Sequence, residues 1–186
     1  ARTDGETRVV EGEWAFRGSA PQWIPGAGGL FWVDSLAPSV HFFLGGRDRV
    51  VASLDTPVNA ALPHPRGIAV QSDDGWRLVD ANGGISVLEG LPRPRLNAAC
   101  VHPDGTVWAC TADGDRWQVA AYPEAATDSR SWRLDEPATA LAWDAAGDTL
   151  YIAAAESGTI CSASLSSGSL RRITTVPKGS GQVGGI

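Results

Sequence analysis

Short apolar runs separated by turn residues recur along the chain, and residues 96–111 show this pattern most clearly. An apolar run is followed there by Pro103-Asp104-Gly105 and then by a second apolar run containing an aromatic residue. This triplet predicts a hairpin, because Pro presets φ, Asp bonds back to its own backbone and Gly adopts positive φ. The same pattern recurs at residues 140–153 and, more weakly, at residues 67–79. The sequence therefore indicates repeated antiparallel strand pairs.

No window shows the sustained apolar spacing of a helix, so the pattern predicts an all-β protein. The strands group into four units, each beginning near one of four apolar residues: Trp23, Val70, Val101 and Trp143. These starts lie roughly 30 to 47 residues apart, which is typical of propeller blades. We therefore expect a β-propeller of four-stranded antiparallel blades. A β-sandwich also has many short strands, but it need not repeat one strand-turn-strand pattern at blade spacing.

At its ends, the sequence predicts an edge strand over residues 9–16 and the start of a fifth blade at residues 184–186. Residues 1–8 are polar and predict a flexible N-terminal segment, followed by a propeller domain over residues 9–186. The sequence thus covers about four blades and the start of a fifth. An unclosed ring would expose sheet faces and long strand edges, so we expect missing sequence rather than a stable four-blade ring. Self-association would follow if the propeller were truly incomplete.

Charge and composition narrow the possible partners. The formal net charge is -6 at pH 7 and no basic cluster stands out, which argues against nucleic acid or an anionic membrane as partner. The sequence has no run of about 18 apolar residues, so it predicts no membrane span. Three cysteines, Cys100, Cys110 and Cys161, lack metal-ligand spacing. We expect buried free thiols and a cytoplasmic protein, although a disulfide between Cys100 and Cys110, near each other across the hairpin, is the alternative.

Three stretches resemble the gluconolactonase/regucalcin (senescence marker protein) family. They are Pro21-x-Trp23 with residues 30–34, residues 95–111 with the Pro-Asp-Gly turn, and Leu141-Ala142-Trp143 with residues 147–151. The similar stretches occur in the family's order across residues 14–186. The resemblance implies a six-bladed propeller with a central, metal-dependent site, which in this family typically hydrolyses lactones.

The resemblance also identifies where the family's oxygen ligands for a divalent cation fall. The family's first-blade Glu falls on Ser19, its fourth-blade Asn on Thr139 and its fifth-blade Asp on Gly184, while Asn97 keeps the family residue. Calcium and zinc need carboxylate, imidazole or thiolate ligands, so a neutral set of this kind predicts weak binding of either ion. We therefore predict a degenerate metal site and no cofactor.

Other residues are candidates for contact with a small molecule. The resemblance places Arg95 and Asn97 at positions that contact substrate oxygens, and it places Asp115 near the family's substrate-side Glu. A solvated loop charge is the alternative for Arg95, and a turn-supporting amide is the alternative for Asn97. His64 lies between two prolines, and a loop histidine at a propeller mouth could act as an acid or base.

These observations lead to two hypotheses. The first is a diverged lactonase-like hydrolase that acts on a small polar or cyclic metabolite in the central pocket without the family's metal. The second is a non-catalytic propeller that binds a ligand or a protein. The loss of both carboxylate ligands keeps the second hypothesis open.

Overall fold

Sixteen strands form four separate antiparallel sheets in the computed structural model, which describes residues 12, 14–92, 95–122 and 130–177. Blade 1 contains β1 (Gly18–Ile24), β2 (Gly29–Asp34), β3 (Ser39–Leu44) and β4 (Arg47–Ser53). Blade 2 contains β5 (Ala60–His64), β6 (Gly67–Ser72), β7 (Gly75–Asp80) and β8 (Ile85–Val87). Blade 3 contains β9 (Ala98–Val101), β10 (Val107–Asp113), β11 (Arg116–Tyr122) and β12 (Ser131–Leu134). Blade 4 contains β13 (Ala138–Trp143), β14 (Thr149–Ala154), β15 (Thr159–Ser164) and β16 (Leu170–Thr175).

The first strands of the blades, β1, β5, β9 and β13, are neighbours in chain order around a common axis. Three apolar clusters fill the three interfaces between successive blades. Their largest buried members are Phe31, Phe42 and Ile68 between blades 1 and 2, Leu62, Trp76 and Leu96 between blades 2 and 3, and Trp108, Trp132 and Ile152 between blades 3 and 4. The predicted all-β propeller of four-stranded blades is confirmed.

The two clearest predicted hairpins form with the expected turn chemistry. The Asp104 carboxylate accepts a 2.8 Å hydrogen bond from the backbone N–H two residues later, and Gly105 has φ +93°. In blade 4, Asp144 accepts two backbone N–H groups and Gly147 has φ +76°. The side chain of His102 joins the two turns, with Nε2 lying 2.8 Å from the Gly147 carbonyl oxygen. Turn chemistry therefore shapes these hairpins of blades 3 and 4 and also links the two blades.

The prediction for blade 2 is wrong in its first strand. The apolar run at residues 67–70 is the second strand, β6, whereas the strand at the axis is β5 (Ala60–His64). Every residue of β6 is buried. The continuous apolar run at residues 67–70 is typical of a strand that is covered on both faces. The weaker repeat at residues 67–79 is accordingly the hairpin between β6 and β7, which is a different position in the blade from the other two copies.

An edge strand is predicted at residues 9–16, and the structure describes residues 14–16 of this stretch without a gap. These three residues do not form a strand. The backbone N–H groups of Phe16 and Arg17 instead donate to the Asp34 carboxylate, at 2.6 and 3.1 Å. This side chain also receives the N–H groups of Leu36 and Ala37, so it fixes the chain entering blade 1. The predicted flexible segment, residues 1–8, and the predicted fifth-blade start, residues 184–186, lie outside the described residues.

The cysteines are free thiols, as the sequence predicts. Cys110 is buried, whereas Cys100 and Cys161 are half-buried. Cys100 lies opposite Trp108 and Cys110 opposite Ala98 in the ladder between β9 and β10. Within the described ranges, no helix has the length and apolar character that crossing a membrane requires.

A polar network occupies the face of blade 1 that points away from blade 2. His41 is 1% exposed and stacks on the Trp32 ring at 3.7 Å between ring centroids. Its Nδ1 donates to Asp48 Oδ2 at 2.8 Å, and Asp48 Oδ1 accepts the Trp32 Nε1–H at 2.8 Å. Ser39 Oγ lies 3.2 Å from His41 Nε2. One carboxylate therefore satisfies the ring N–H groups of the buried His41 and the half-buried Trp32.

Candidate functional site

The beginnings of the four inner strands line a pocket of about 300 Å³ at the propeller axis. Blade 1 contributes the polar side chain of Gln22 to the lining. Each blade contributes one further polar side chain: Ser19, Asn59, Asn97 and Thr139. These four residues lie about 40 residues apart along the chain, as expected for equivalent positions in successive blades. The blade repeat therefore gathers four neutral hydrogen-bonding groups around one cavity.

Two local backbone arrangements position these side chains. Register shifts interrupt the first ladder of blade 1 beside Ser19 and that of blade 4 at Thr139. Such bulges re-aim a side chain at the end of a strand. Asn59 and Asn97 instead lie directly before β5 and β9, where their backbone N–H groups bind the second strand of each blade, at 2.8 and 3.1 Å.

Asn59, like Gln22, is a polar lining residue that the sequence interpretation missed. The signal that could have found it is a repeat of three residues, since Asn59-Ala60-Ala61 reappears as Asn97-Ala98-Ala99. In both blades the first alanine begins the inner strand. Assigning the first strand of blade 2 to residues 67–70 hid this equivalence.

A second cavity of about 140 Å³, termed the side chamber, shares the lining residue Asn59 with the central pocket. Arg95 lines this chamber rather than the central pocket, together with Asp73 and Ser72. Asn59 Nδ2 donates to Asp73 Oδ1 at 2.9 Å. The candidates Arg95 and Asn97 are therefore assigned to two cavities that share Asn59.

Gln71 fixes the segment that carries Arg95. Its side chain is buried, its Nε2 donates to the Pro92 carbonyl oxygen at 3.1 Å, and its Oε1 accepts the Leu96 N–H at 3.3 Å. Leu96 is itself buried between blades 2 and 3. Arg95 thus projects from a backbone that is anchored to blade 2 at both sides.

Two other candidates lie away from the central pocket. His64 ends β5, about 13 Å of strand beyond the pocket-lining Ala60, and its Nδ1 accepts the Arg66 N–H at 3.2 Å. Burial and the nearby Arg66 charge lower the pKa of His64. His64 therefore lies at the end of the inner strand β5 that is opposite to the pocket. Asp115 lies in the exposed turn between β10 and β11, and Gly184 lies outside the described residues.

The chemistry of the central pocket is neutral. Its described lining consists of hydroxyl, amide and apolar groups and includes no carboxylate, imidazole or cation. Across the described ranges, no group of three or more His, Cys, Asp or Glu side chains is placed to hold a metal ion. Calcium sites combine carboxylates with carbonyl oxygens, and zinc sites use Cys, His or carboxylate ligands, so the described lining by itself lacks the ionised or imidazole ligands that fit either ion. Asn and Ser or Thr can each donate to and accept from a neutral oxygen-rich molecule.

The chain belongs to the SMP-30/gluconolactonase/LRE-like family, whose model matches residues 17–182. No protein of curated function matches the sequence significantly. Among solved structures, the chain is similar to a gluconolactonase from Xanthomonas campestris, with a TM-score of 0.68 and 20% identity over 92% of this chain. It is also similar to regucalcin from Agrobacterium tumefaciens, a calcium-binding protein, with a TM-score of 0.70 and 21% identity over 96% of this chain. The chain spans 66% of the length of each of these two proteins.

Proposed function

We propose that this chain is a diverged lactonase-like propeller that binds a small, uncharged, oxygen-rich molecule, such as a lactone or a sugar-like ring, in the central pocket. The observation that carries this proposal is the convergence of Ser19, Asn59, Asn97 and Thr139 on one cavity of about 300 Å³. Lactone hydrolysis is part of the proposal and is supported by family membership. Hydrolysis without the family's metal is also part of the proposal and is supported by the neutral lining of the pocket.

The ligand class follows from the hydrogen-bonding groups. An amide side chain offers both donors and an acceptor, and a hydroxyl rotates to offer either. Hydroxyl and carbonyl oxygens on a neutral ring can satisfy such groups, whereas a free carboxylate would enter a lining without a cation. We therefore expect a lactone to bind more tightly than the carboxylate formed when its ring opens.

Binding without turnover is the second candidate function. It is favoured because the described lining of the central pocket contains no side chain that titrates near neutral pH. General acid-base catalysis needs such a group within hydrogen-bond reach of the reacting atoms. A propeller that senses or carries the same ring would use the same four contacts.

Calorimetric titration and a hydrolysis assay together test the proposal. An aldono-γ-lactone serves as the binding probe, its ring-opened aldonate as the charged comparison, and proton release in a pH-stat measures lactone hydrolysis above the spontaneous rate. Asn97→Ala should weaken lactone binding about tenfold, corresponding to roughly 1.4 kcal/mol for its hydrogen bonds. Asn82→Ala is the matched control, because Asn82 is exposed in the turn after β7 and lies outside the pocket lining.

The outcomes separate the two candidates. Lactone binding with Asn97-dependent proton release supports the hydrolase. Lactone binding with no proton release above background supports the binding protein. Equal loss in both asparagine variants, or no binding of any lactone by the unmodified chain, would contradict both.

A further inference from the structure

Asn59 stands at the junction of two cavities. It lines the central pocket beside Asn97, and it also lines the side chamber that contains Asp73 and Arg95. No other residue is shared by the described linings of these two cavities. A ligand that extended from the central pocket into the chamber would therefore pass the Asn59 amide.

The amide of Asn59 has a fixed orientation. An ionised carboxylate accepts hydrogen bonds and cannot donate them, so the group that faces Asp73 at 2.9 Å must be the NH₂ of Asn59. The backbone N–H of Asn59 is also bound, to the Gln71 carbonyl oxygen at 2.8 Å. Within the described ranges no group donates to Asn59 Oδ1. This oxygen is thus oriented by Asp73 and remains able to accept a ligand hydroxyl.

The side chamber has the size and chemistry for a short polar arm. Its volume of about 140 Å³ equals that of four or five waters at roughly 30 Å³ each. Arg95 carries planar guanidinium donors, and the Ser72 hydroxyl, whose proton is donated to Asp74, supplies an acceptor. These groups suit hydroxyl oxygens, whereas a purely apolar arm would leave them without partners.

We propose that Asn59 is a specificity-determining residue, which selects ring ligands that carry a hydroxylated arm. The ring occupies the central pocket, the arm enters the side chamber, and an arm hydroxyl donates to Asn59 Oδ1. Asp73 is the positioning residue that holds this oxygen in place. The inference rests on the proposed function, because it needs a ring in the central pocket.

Two probes test the inference: an aldono-γ-lactone with a hydroxylated two-carbon arm, and the hydroxylated γ-lactone ring without that arm. The unmodified chain should prefer the first probe about tenfold, as one to two hydrogen bonds predict. Asn59→Ala and Asp73→Ala should each reduce this preference to below threefold. Asp73→Asn should retain most of it, because an amide oxygen can still accept from Asn59.

Controls keep the outcomes distinct. Asn82→Ala should leave the preference unchanged, and the melting temperature of each variant establishes that it folds. Equal affinity of the unmodified chain for both probes would overturn the inference and leave the proposed function standing. An equal loss of affinity for both probes in Asn59→Ala would overturn it as well. Failure of the unmodified chain to bind either probe would overturn the proposed function and the inference together.

Discussion

Removing the Asp48 carboxylate should destabilise the protein by about 3 kcal/mol, although Asp48 lies far from the axis. Its two oxygens accept the ring N–H groups of His41 and Trp32, both at 2.8 Å. His41 is 1% exposed, and the Asp48 side chain is 8% exposed. Asp48→Ala therefore leaves the buried His41 donor and the half-buried Trp32 donor without their acceptor.

The magnitude follows from these two donors. A buried donor that loses its partner costs about 1–3 kcal/mol, and the slight exposure of Asp48 favours the lower half of that range for each donor. Asp48→Asn keeps a single acceptor oxygen, so it should cost about half as much. Asp55→Ala is the control, because Asp55 is exposed in the connection between blades 1 and 2 and its replacement should cost under about 0.5 kcal/mol.

Urea denaturation followed by far-UV circular dichroism measures these differences as free energies of unfolding by linear extrapolation. The unmodified chain and Asp55→Ala should be the most stable, Asp48→Asn should be less stable, and Asp48→Ala should be the least stable. If Asp48→Ala lay within about 0.5 kcal/mol of Asp55→Ala, the reasoning about a satisfied buried network in blade 1 would be refuted.

Three further predictions concern backbone shape, acid stability and thiol reactivity. Gly67→Ala should lower stability by about 2–4 kcal/mol, because Gly67 has φ +153° and a Cβ there would lie 2.1 Å from the Val79 carbonyl oxygen. A thermal melt measures this effect, and an unchanged melting temperature would contradict the prediction. Burial raises the pKa of Asp34, but four backbone N–H donors outweigh the effect of burial and lower the pKa from 3.8 to about 2. The stability that ionised Asp34 contributes above pH 4 should therefore fall as the pH drops from 4 towards 2. Asp34→Asn should flatten that part of a pH–stability profile, and an unchanged slope would refute the assignment. Burial raises the pKa of Cys100 to about 12 and also raises the pKa of Cys110. Peptide mapping after alkylation at pH 8 should therefore find both cysteines unlabelled in native protein and labelled in urea. Rapid labelling of either cysteine in native protein would contradict this.

Local sequence signals predicted most of the fold because each blade is built from hairpins whose turns have their own chemistry. Asp104 and Gly105 define their turn through contacts within a few residues, so the pattern could be recognised without the rest of the chain. Blade 2 departs from this rule. Its inner strand β5 is short and contains Pro63, which is tolerated because β5 is an edge strand of its sheet.

The candidate site was harder to predict because it depends on long-range geometry. Asn59 and Asn97 are brought to one cavity only by the packing of neighbouring blades. Arg95 and Asn97 are two residues apart, yet they line different cavities, since Asn97 lies directly before β9 while Arg95 belongs to the segment anchored to Gln71. The sequence identified Arg95 and Asn97 as candidates, but it could not show the side chamber or the hydrogen bond between Asn59 and Asp73.

The most direct test of the proposed site is an NMR titration of the chain labelled with ¹⁵N only in asparagine. The sequence has three asparagines, so the spectrum should contain three pairs of side-chain NH₂ signals, from Asn59, Asn82 and Asn97. Addition of an aldono-γ-lactone with a hydroxylated arm should shift the signals of Asn59 and Asn97 in a saturable way and leave those of Asn82 in place. Saturable binding that moves neither Asn59 nor Asn97, or that moves all three equally, would contradict a ligand site at the propeller axis.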